Sequence, residues 1–410
     1  MRSRRSDVII LFTARICRLF AFGFISVILA LYLTDLGFKE NSIGLLLTLA
    51  LIGDMIISLG ITTHADRIGR RKMLVIGALL IIFAGSILAS SRNILLIGVA
   101  AIVGVISPSG NEIGPFLAIE QAGLSQTIDD KRRTKVFAWY HLAGSLSTAL
   151  GSLTGGGMVH ILTHNSISEL SSYCICLTIY TGIGVLLGIL FLNLSSNVES
   201  INKSTYNSKK VFLGLHQSRK PVLKLSSLFA LDAFAGGLIV QSLLAFWFHV
   251  RYGADPIILG GIFFGANLLA GVSALLAVKV ADRIGLIKTM VFTHIPSNIL
   301  LILIPLMPNL GTAIIILLLR FSISQMDVPT RQSYTMAVVN PDERSAAAGF
   351  TNMVRSLGAA ISPSLSGYLI GIPALVNSIF FLAGGLKIIY DLLLYRSFIK
   401  VRPPEEEKNA

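Results

Sequence analysis

Arg320, Ser324, Asp327, Arg331 and Tyr334 fall in the stretch "LLLRFSISQMDVPTRQSYTM", whose first half is deeply apolar. On one helix at about 100° per residue, these five side chains would lie within about 80° of one another. A stripe that narrow suits a face lined by water or solute, where the Arg320 guanidinium could hold an anionic or zwitterionic group. The plainer reading is an Asp327–Arg331 pair at i, i+4, closed within a single helix. Arg320 extends the stripe past that pair and favours the first reading.

Other ionisable residues stand in equally apolar surroundings: Arg15, Arg18, Asp54, Glu112, Glu120, His141, Asp232 and Arg355. A charge inside a bilayer costs about 2.5–3.5 kcal/mol, so such groups face a cavity or a partner. Arg18, Glu112, Asp232, Arg320, Asp327, Arg331 and Arg355 form the expected solute-lining set. Arg18 and Asp232 sit at equivalent places in the two halves of the chain, so a pair between them is one arrangement. Glu120 lies near a span end and reads as solvated or loop-paired, and His141 as a satisfied interfacial histidine. Asp54, in "LTLALIGDMIISLG", has no basic residue within a helical turn along the sequence. A carboxylate in a low-dielectric site keeps its proton more readily than one in water. Asp54, and Glu112 after it, are the candidates for proton coupling; the bland alternative for Asp54 is a neutral acid bonded to a neighbouring helix.

These residues need elements that cross a membrane. The chain has 410 residues, of which 53% are hydrophobic and 13% charged, and its mean hydropathy of +0.75 is too high for a protein wetted on every side. A helix takes roughly 20 apolar residues to cross a bilayer core. By that ruler spans are expected near 8–35, 43–64, 73–90, 94–123, 135–160, 173–194, 223–250, 257–280, 289–306, 312–338, 346–370 and 374–396, which makes twelve. Arg15, Arg18, Arg320, Arg331, Arg355 and Lys387 fall within spans; of the other Lys and Arg, alternate connecting segments hold nearly all, and the remaining segments carry only Lys39, Arg92 and Arg251. That asymmetry predicts both termini in the cytoplasm and accounts for the net charge of +13 without a nucleic-acid partner. Cys17, Cys174 and Cys176 read as packing residues, and no metal-ligand spacing follows from them. No phosphate loop or nucleophile elbow is found, so neither an enzyme nor a cofactor is expected.

Two features repeat. The pentapeptide "ADRIG" occurs at Ala65–Gly69 and Ala281–Gly285, and at an offset of 214 Phe20, Gly23, Pro115 and Gly144 match Phe234, Gly237, Pro329 and Gly358. Repeats of one orientation are a parallel duplication. The expected domains are 1–194, a six-helix bundle; 195–222, a cytoplasmic linker with little fixed structure; 223–400, a second six-helix bundle; and 401–410, a polar cytoplasmic tail. In this the chain resembles the major facilitator superfamily of secondary transporters, whose signature between helices 2 and 3 is Gly-x-x-x-Asp-Arg-x-Gly-Arg-Arg/Lys-Arg/Lys. Here "THADRIGRRK" supplies Asp66, Arg67, Gly69, Arg70, Arg71 and Lys72, with Thr62 where the family has its first glycine; "KVADRIGLIK" keeps Asp282, Arg283, Gly285 and Lys288. The resemblance implies an all-α membrane protein of two pseudo-symmetric bundles and a gate built on these motifs. In it Asp66 would face the helix start near Ser345–Ala348, and Asp282 would face Thr134. The bland reading is a pair of positive turns that set topology.

The pattern is most similar to twelve-helix drug or metabolite exporters. Their fifth-helix Gly-Pro-x-x-Gly-Gly is here "GSLTGG", with Ser152 at the proline position and Gly151, Gly155 and Gly156 retained. The exporters' fourth-helix arginine is absent, and Arg15 and Arg18 replace an acid common in cation exporters. The resemblance implies a monomeric plasma-membrane protein in lipid, moving a small organic solute by alternating access and coupled to protons, as an exporter. Import of an anionic or zwitterionic metabolite, a channel, and a receptor or scaffold that no longer transports are the alternatives.

Overall fold

The computed structural model describes residues 4–111, 114–128, 130–199, 218–340 and 343–399. Among these every regular element is helical and no strand occurs. The helices are α1 Arg4–Asp35, α2 Glu40–Ile68, α3 Arg70–Ser90, α4 Ile94–Val103, α5 Phe116–Thr127, α6 Asp130–His164 and α7 Glu169–Leu192. They continue as α8 Arg219–Gly237, α9 Gln241–Tyr252, α10 Pro256–Ile284, α11 Leu286–Leu303, α12 Leu310–Ser324, α13 Asp327–Ala337, α14 Arg344–Ile370 and α15 Ser378–Phe398.

Nine stretches among the described residues are long and apolar enough to cross a membrane. The expected spans outside that set have physical reasons to be. The stretch 94–123 is divided between α4 and α5, neither of which is long enough. Helices α6 and α14 have the length, but Gly, Ser and Thr dilute their apolar residues. Small residues are what close helix packing in a membrane demands. Large apolar side chains on the outside, such as Leu95, Ile56 and Leu392, suit contact with lipid tails.

The described residues fall into two compact units, one drawn from Met1–Thr205 and Val240–Asn267, the other from Tyr206–Ile239 and Leu268–Ala410. In the first, α1 packs on α6 and α7, and α3 on α7. The α1–α6 approach is so close that a Cβ on Gly23 would lie 2.1 Å from the Thr148 carbonyl oxygen. In the second, α8 packs on α14, and a Cβ on Gly237 would lie 2.1 Å from Ser362 Oγ. Gly237 and Ser362 follow Gly23 and Thr148 at the same offset of 214, so each unit contains the same glycine seam.

The repeated pentapeptide has its own cause. Gly69 joins α2 to α3 at φ +120°, and Gly285 joins α10 to α11 at φ +88°. Side chains avoid that region, so each tight helix-to-helix corner calls for glycine. Helix α9 is tied into the first unit by neutral polar groups, and Asn267 Nδ2 on α10 donates to Gln241 Oε1 at 3.2 Å. Gln241 Nε2 donates to Ser26 Oγ at 2.8 Å and Ser152 Oγ at 3.1 Å, and Ser242 Oγ donates to the Ser26 and Pro108 carbonyls. Ser152 thus serves as a polar anchor where the exporters have proline.

Besides 94–123, two more expected spans are interrupted. The seventh span divides between α8 and α9. The tenth breaks at Gln325–Met326, between α12 and α13. Arg320 and Ser324 therefore lie on one helix and Asp327, Arg331 and Tyr334 on the next, so the five-residue stripe is not one continuous helical face.

Candidate functional site

The second unit gathers charge from helices distant in sequence. Asp232 on α8 is buried. Lys387 Nζ on α15 donates to its Oδ1 at 2.5 Å, and Arg331 Nη1 on α13 to its Oδ2 at 3.3 Å. The same Arg331 nitrogen donates to Asp327 Oδ2 at 2.7 Å, so the i, i+4 pair is formed but not closed, because Arg331 links it to Asp232. Asp327 lies in the first turn of α13, where the positive end of the helix dipole favours a carboxylate. Phe229 lies under the Arg331 guanidinium, 5.6 Å from it.

His294 on α11 extends the network. Its Nε2 stands 3.9 Å from Asp232 Oδ1, and its Nδ1 is 2.8 Å from Asp391 Oδ1. A carboxylate only accepts, so Nδ1 carries the proton in that bond. Asn298 Nδ2 donates to the other oxygen of Asp391 at 3.0 Å. Four helices thus hold one continuous chain of buried charges and hydrogen bonds.

Arg320 and Arg355 are placed differently. Both lie within electrostatic reach of Asp232 and Asp327, but neither forms an ion pair or a hydrogen bond among the described residues, and the Nε of each is buried without a partner. Arg320 is 7% exposed, with its guanidinium 5.0 Å from the Phe321 ring centre. One turn along α12, the Ser324 hydroxyl is also buried and unbonded.

The first unit makes a separate ion pair. Arg18 Nη1 and Nη2 meet Glu120 Oε1 and Oε2 at 2.5 and 2.7 Å, and the Tyr140 hydroxyl donates to the same carboxylate. Glu120 is therefore not the solvated acid its position suggests: it is fully buried, because α1 and α6 bring a cation and a phenol to it. The Arg18–Asp232 pairing gives way to partners within each unit, Glu120 for Arg18 and Lys387 with Arg331 for Asp232. Arg15 Nε donates to the Tyr140 carbonyl at 2.7 Å. His141 lies between Arg15 at 3.5 Å and Gln121 at 3.3 Å. Asp54 is buried on α2, with Ser58 Oγ 3.4 Å from its Oδ1.

Glu112 lies outside the described residues, as do the side chains of Asp66, Thr134 and 344–346 on which the gate pairings depend. Arg67, Arg71, Asp282 and Arg283 are exposed. Arg70 is buried, and its Nη1 donates to the Val198 carbonyl at 3.2 Å. Helix α3 has no capping side chain of its own at Gly69; instead Glu199 accepts from the Arg70 and Arg71 backbone amides at 2.7 and 3.2 Å. Asp7 in turn accepts from the backbone amide of Ser195 at 2.9 Å. The ends of the expected linker are therefore structured: 195–199 is fastened to α1 and α3, and α8 begins at Arg219. Residues 200–217 lie outside the described set.

Sequence reasoning missed Lys387, His294, Asp391, Asn298 and Glu199 as site or motif partners. Two i, i+4 pairs in apolar spans, Lys387 with Asp391 and His294 with Asn298, were the available signal. Nothing local marks Glu199.

The sequence pattern of the Major Facilitator Superfamily matches residues 11–363. An uncharacterized membrane protein of Saccharomyces cerevisiae is 27% identical, over 96% of this chain and 94% of that one. Among solved structures, an occupied, inward-facing bacterial homolog of the human lysosomal transporter Spinster is similar at TM-score 0.72 and 16% identity, covering 98% of this chain and 99% of that one. The nucleoside transporter NupG is similar at TM-score 0.71 and 13% identity, over 95% and 98%. At such identities the structures speak for the fold, and the family pattern speaks for descent. With that pattern running through most of its length, this integral, multi-pass membrane protein belongs to the Major Facilitator Superfamily, as a transporter and not an enzyme.

Proposed function

We propose that the chain is a monomeric secondary transporter of the plasma membrane that exports a small organic solute by alternating access, coupled to protons. Twelve spans with both termini in the cytoplasm fit the alternation of Lys and Arg between connecting segments. The observation that carries the reading is the buried network of Asp232, Lys387, Arg331 and Asp327. Buried ion pairs are a poor way to stabilise a protein, and inside a membrane they mark a path for solute or protons. Interrupted spans beside the network supply backbone able to line such a path.

Import of an anionic or zwitterionic metabolite is the second reading, favoured by the two guanidiniums, Arg320 and Arg355, that form no ion pair among the described residues. The two differ in the sign of coupling. In proteoliposomes of known orientation, with a solute panel and an imposed pH gradient, export moves solute against the proton flow and import moves it with that flow. A channel gives flux that does not saturate, and a scaffold gives none; either result rejects the proposal.

A further inference from the structure

We propose that the second unit binds the anionic group of the solute, a carboxylate or similar monoanion, at Arg320 and Arg355, with the Ser324 hydroxyl as an additional donor. The inference rests on the transporter reading above and assigns a chemical class to its solute.

The charge balance of the network carries it. Four fixed cations, Arg320, Arg331, Arg355 and Lys387, face three carboxylates, Asp232, Asp327 and Asp391. Among the described residues one positive charge remains before any proton is placed on His294. The partners are also unevenly shared. Asp232 and Asp327 are bound by Lys387 and Arg331, and Asp391 by His294 and Asn298. Arg320 and Arg355 are left within the field of those acids but bonded to none of them, each with a buried Nε that donates to nothing among the described residues.

An arginine cannot escape this state by losing its proton, since guanidinium stays charged in proteins. Water could satisfy a donor but would not neutralise the charge. What does both is an anion with two oxygens, which matches the guanidinium fork. A monoanion closes the balance, whereas a dianion overshoots it unless His294 takes a proton. The Ser324 hydroxyl, one turn from Arg320 and buried without a bond, completes a set of donors awaiting an acceptor.

The test uses the purified full-length chain in detergent at constant ionic strength. The probes are three matched pairs: acetate with acetamide, hexanoate with hexanamide, and benzoate with benzamide. Binding is read by calorimetry and by the shift in melting temperature. At least one carboxylate is expected to bind and stabilise where its amide does not. Arg320→Gln and Arg355→Gln should each weaken that binding about tenfold or more, as loss of a charge-assisted bidentate contact does. Arg320→Lys, which keeps the charge but not the fork, should fall between. The unliganded Gln variants should melt no lower than wild type, because Arg320→Gln removes a buried charge that forms no ion pair among the described residues, and Arg355→Gln a half-buried one.

The proposal is overturned if no carboxylate binds better than its amide, or if the Gln variants bind like wild type. It is also overturned if those variants melt well below wild type without ligand, since the guanidiniums are then structural. Solute exchange in proteoliposomes separates the two claims. Exchange of neutral or cationic solutes with no carboxylate binding rejects the anion site alone. Arginine-dependent carboxylate binding with no exchange of any solute rejects the transport reading alone.

Discussion

Asp232 takes bonds from Lys387 and Arg331 and has His294 close by, so its loss and the loss of a partner should differ sharply. Asp232→Asn deprives buried Lys387 of its ion-pair partner and is expected to cost about 3–5 kcal/mol, the range for breaking a buried pair from one side. Lys387→Met leaves Asp232 bonded to Arg331 and brings the fixed charges into balance, so its cost should be clearly smaller. Chemical unfolding of both variants checks the order, and equal losses would contradict it. Asp54 makes a second test at this scale: Asp54→Asn should abolish accumulation driven by a pH gradient while sparing exchange at equal pH. Gradient-driven accumulation like wild type in the same vesicles would move the proton site elsewhere. The sequence displays such residues readily, because a charge in an apolar run stands out. It does not display their partners. Arg18 chooses Glu120, and Lys387 reaches Asp232, through helix contacts between residues more than a hundred positions apart.

Among the elements, the glycine seams are the parts whose packing can be broken most selectively. A methyl group on Gly23 would overlap the Thr148 backbone, whereas one on Gly182, in α7, meets nothing within 4 Å. Gly23→Ala is expected to destabilise by about 1–3 kcal/mol through overpacking. Gly182→Ala should stabilise by up to about 1 kcal/mol through helix propensity. Melting temperatures in one detergent decide between these signs. Glu199→Ala should cost about 1 kcal/mol by uncapping α3, with faster amide exchange at Arg70 and Arg71 as its local signature. The duplication in these elements was legible, since Gly23 and Gly237, like Gly69 and Gly285, must be glycine for steric reasons that leave a mark in sequence. The break at Gln325–Met326 left a weaker mark that the reading of one continuous span passed over: the sequence turns polar at Asp327, and Pro329 stands in the first turn of α13.

For the whole molecule, the proposed alternating access would account together for the duplicated motif and the buried charges. Asp66→Asn should shift the resting population toward cytoplasmic opening and lower transport, with folding largely intact. Cysteine labelling from both sides checks this, and unchanged labelling with full transport would return the motif to a topological role. The central claim, that one site is exposed to the two sides in turn, is tested most directly by trans-acceleration. Proteoliposomes are preloaded with a transported solute, and uptake of the same solute in labelled form is followed at equal pH on both sides. The expected result is saturable uptake that preloading speeds up and that Asp232→Asn depresses in folded protein. Uptake that rises linearly with concentration and ignores preloading would contradict the account.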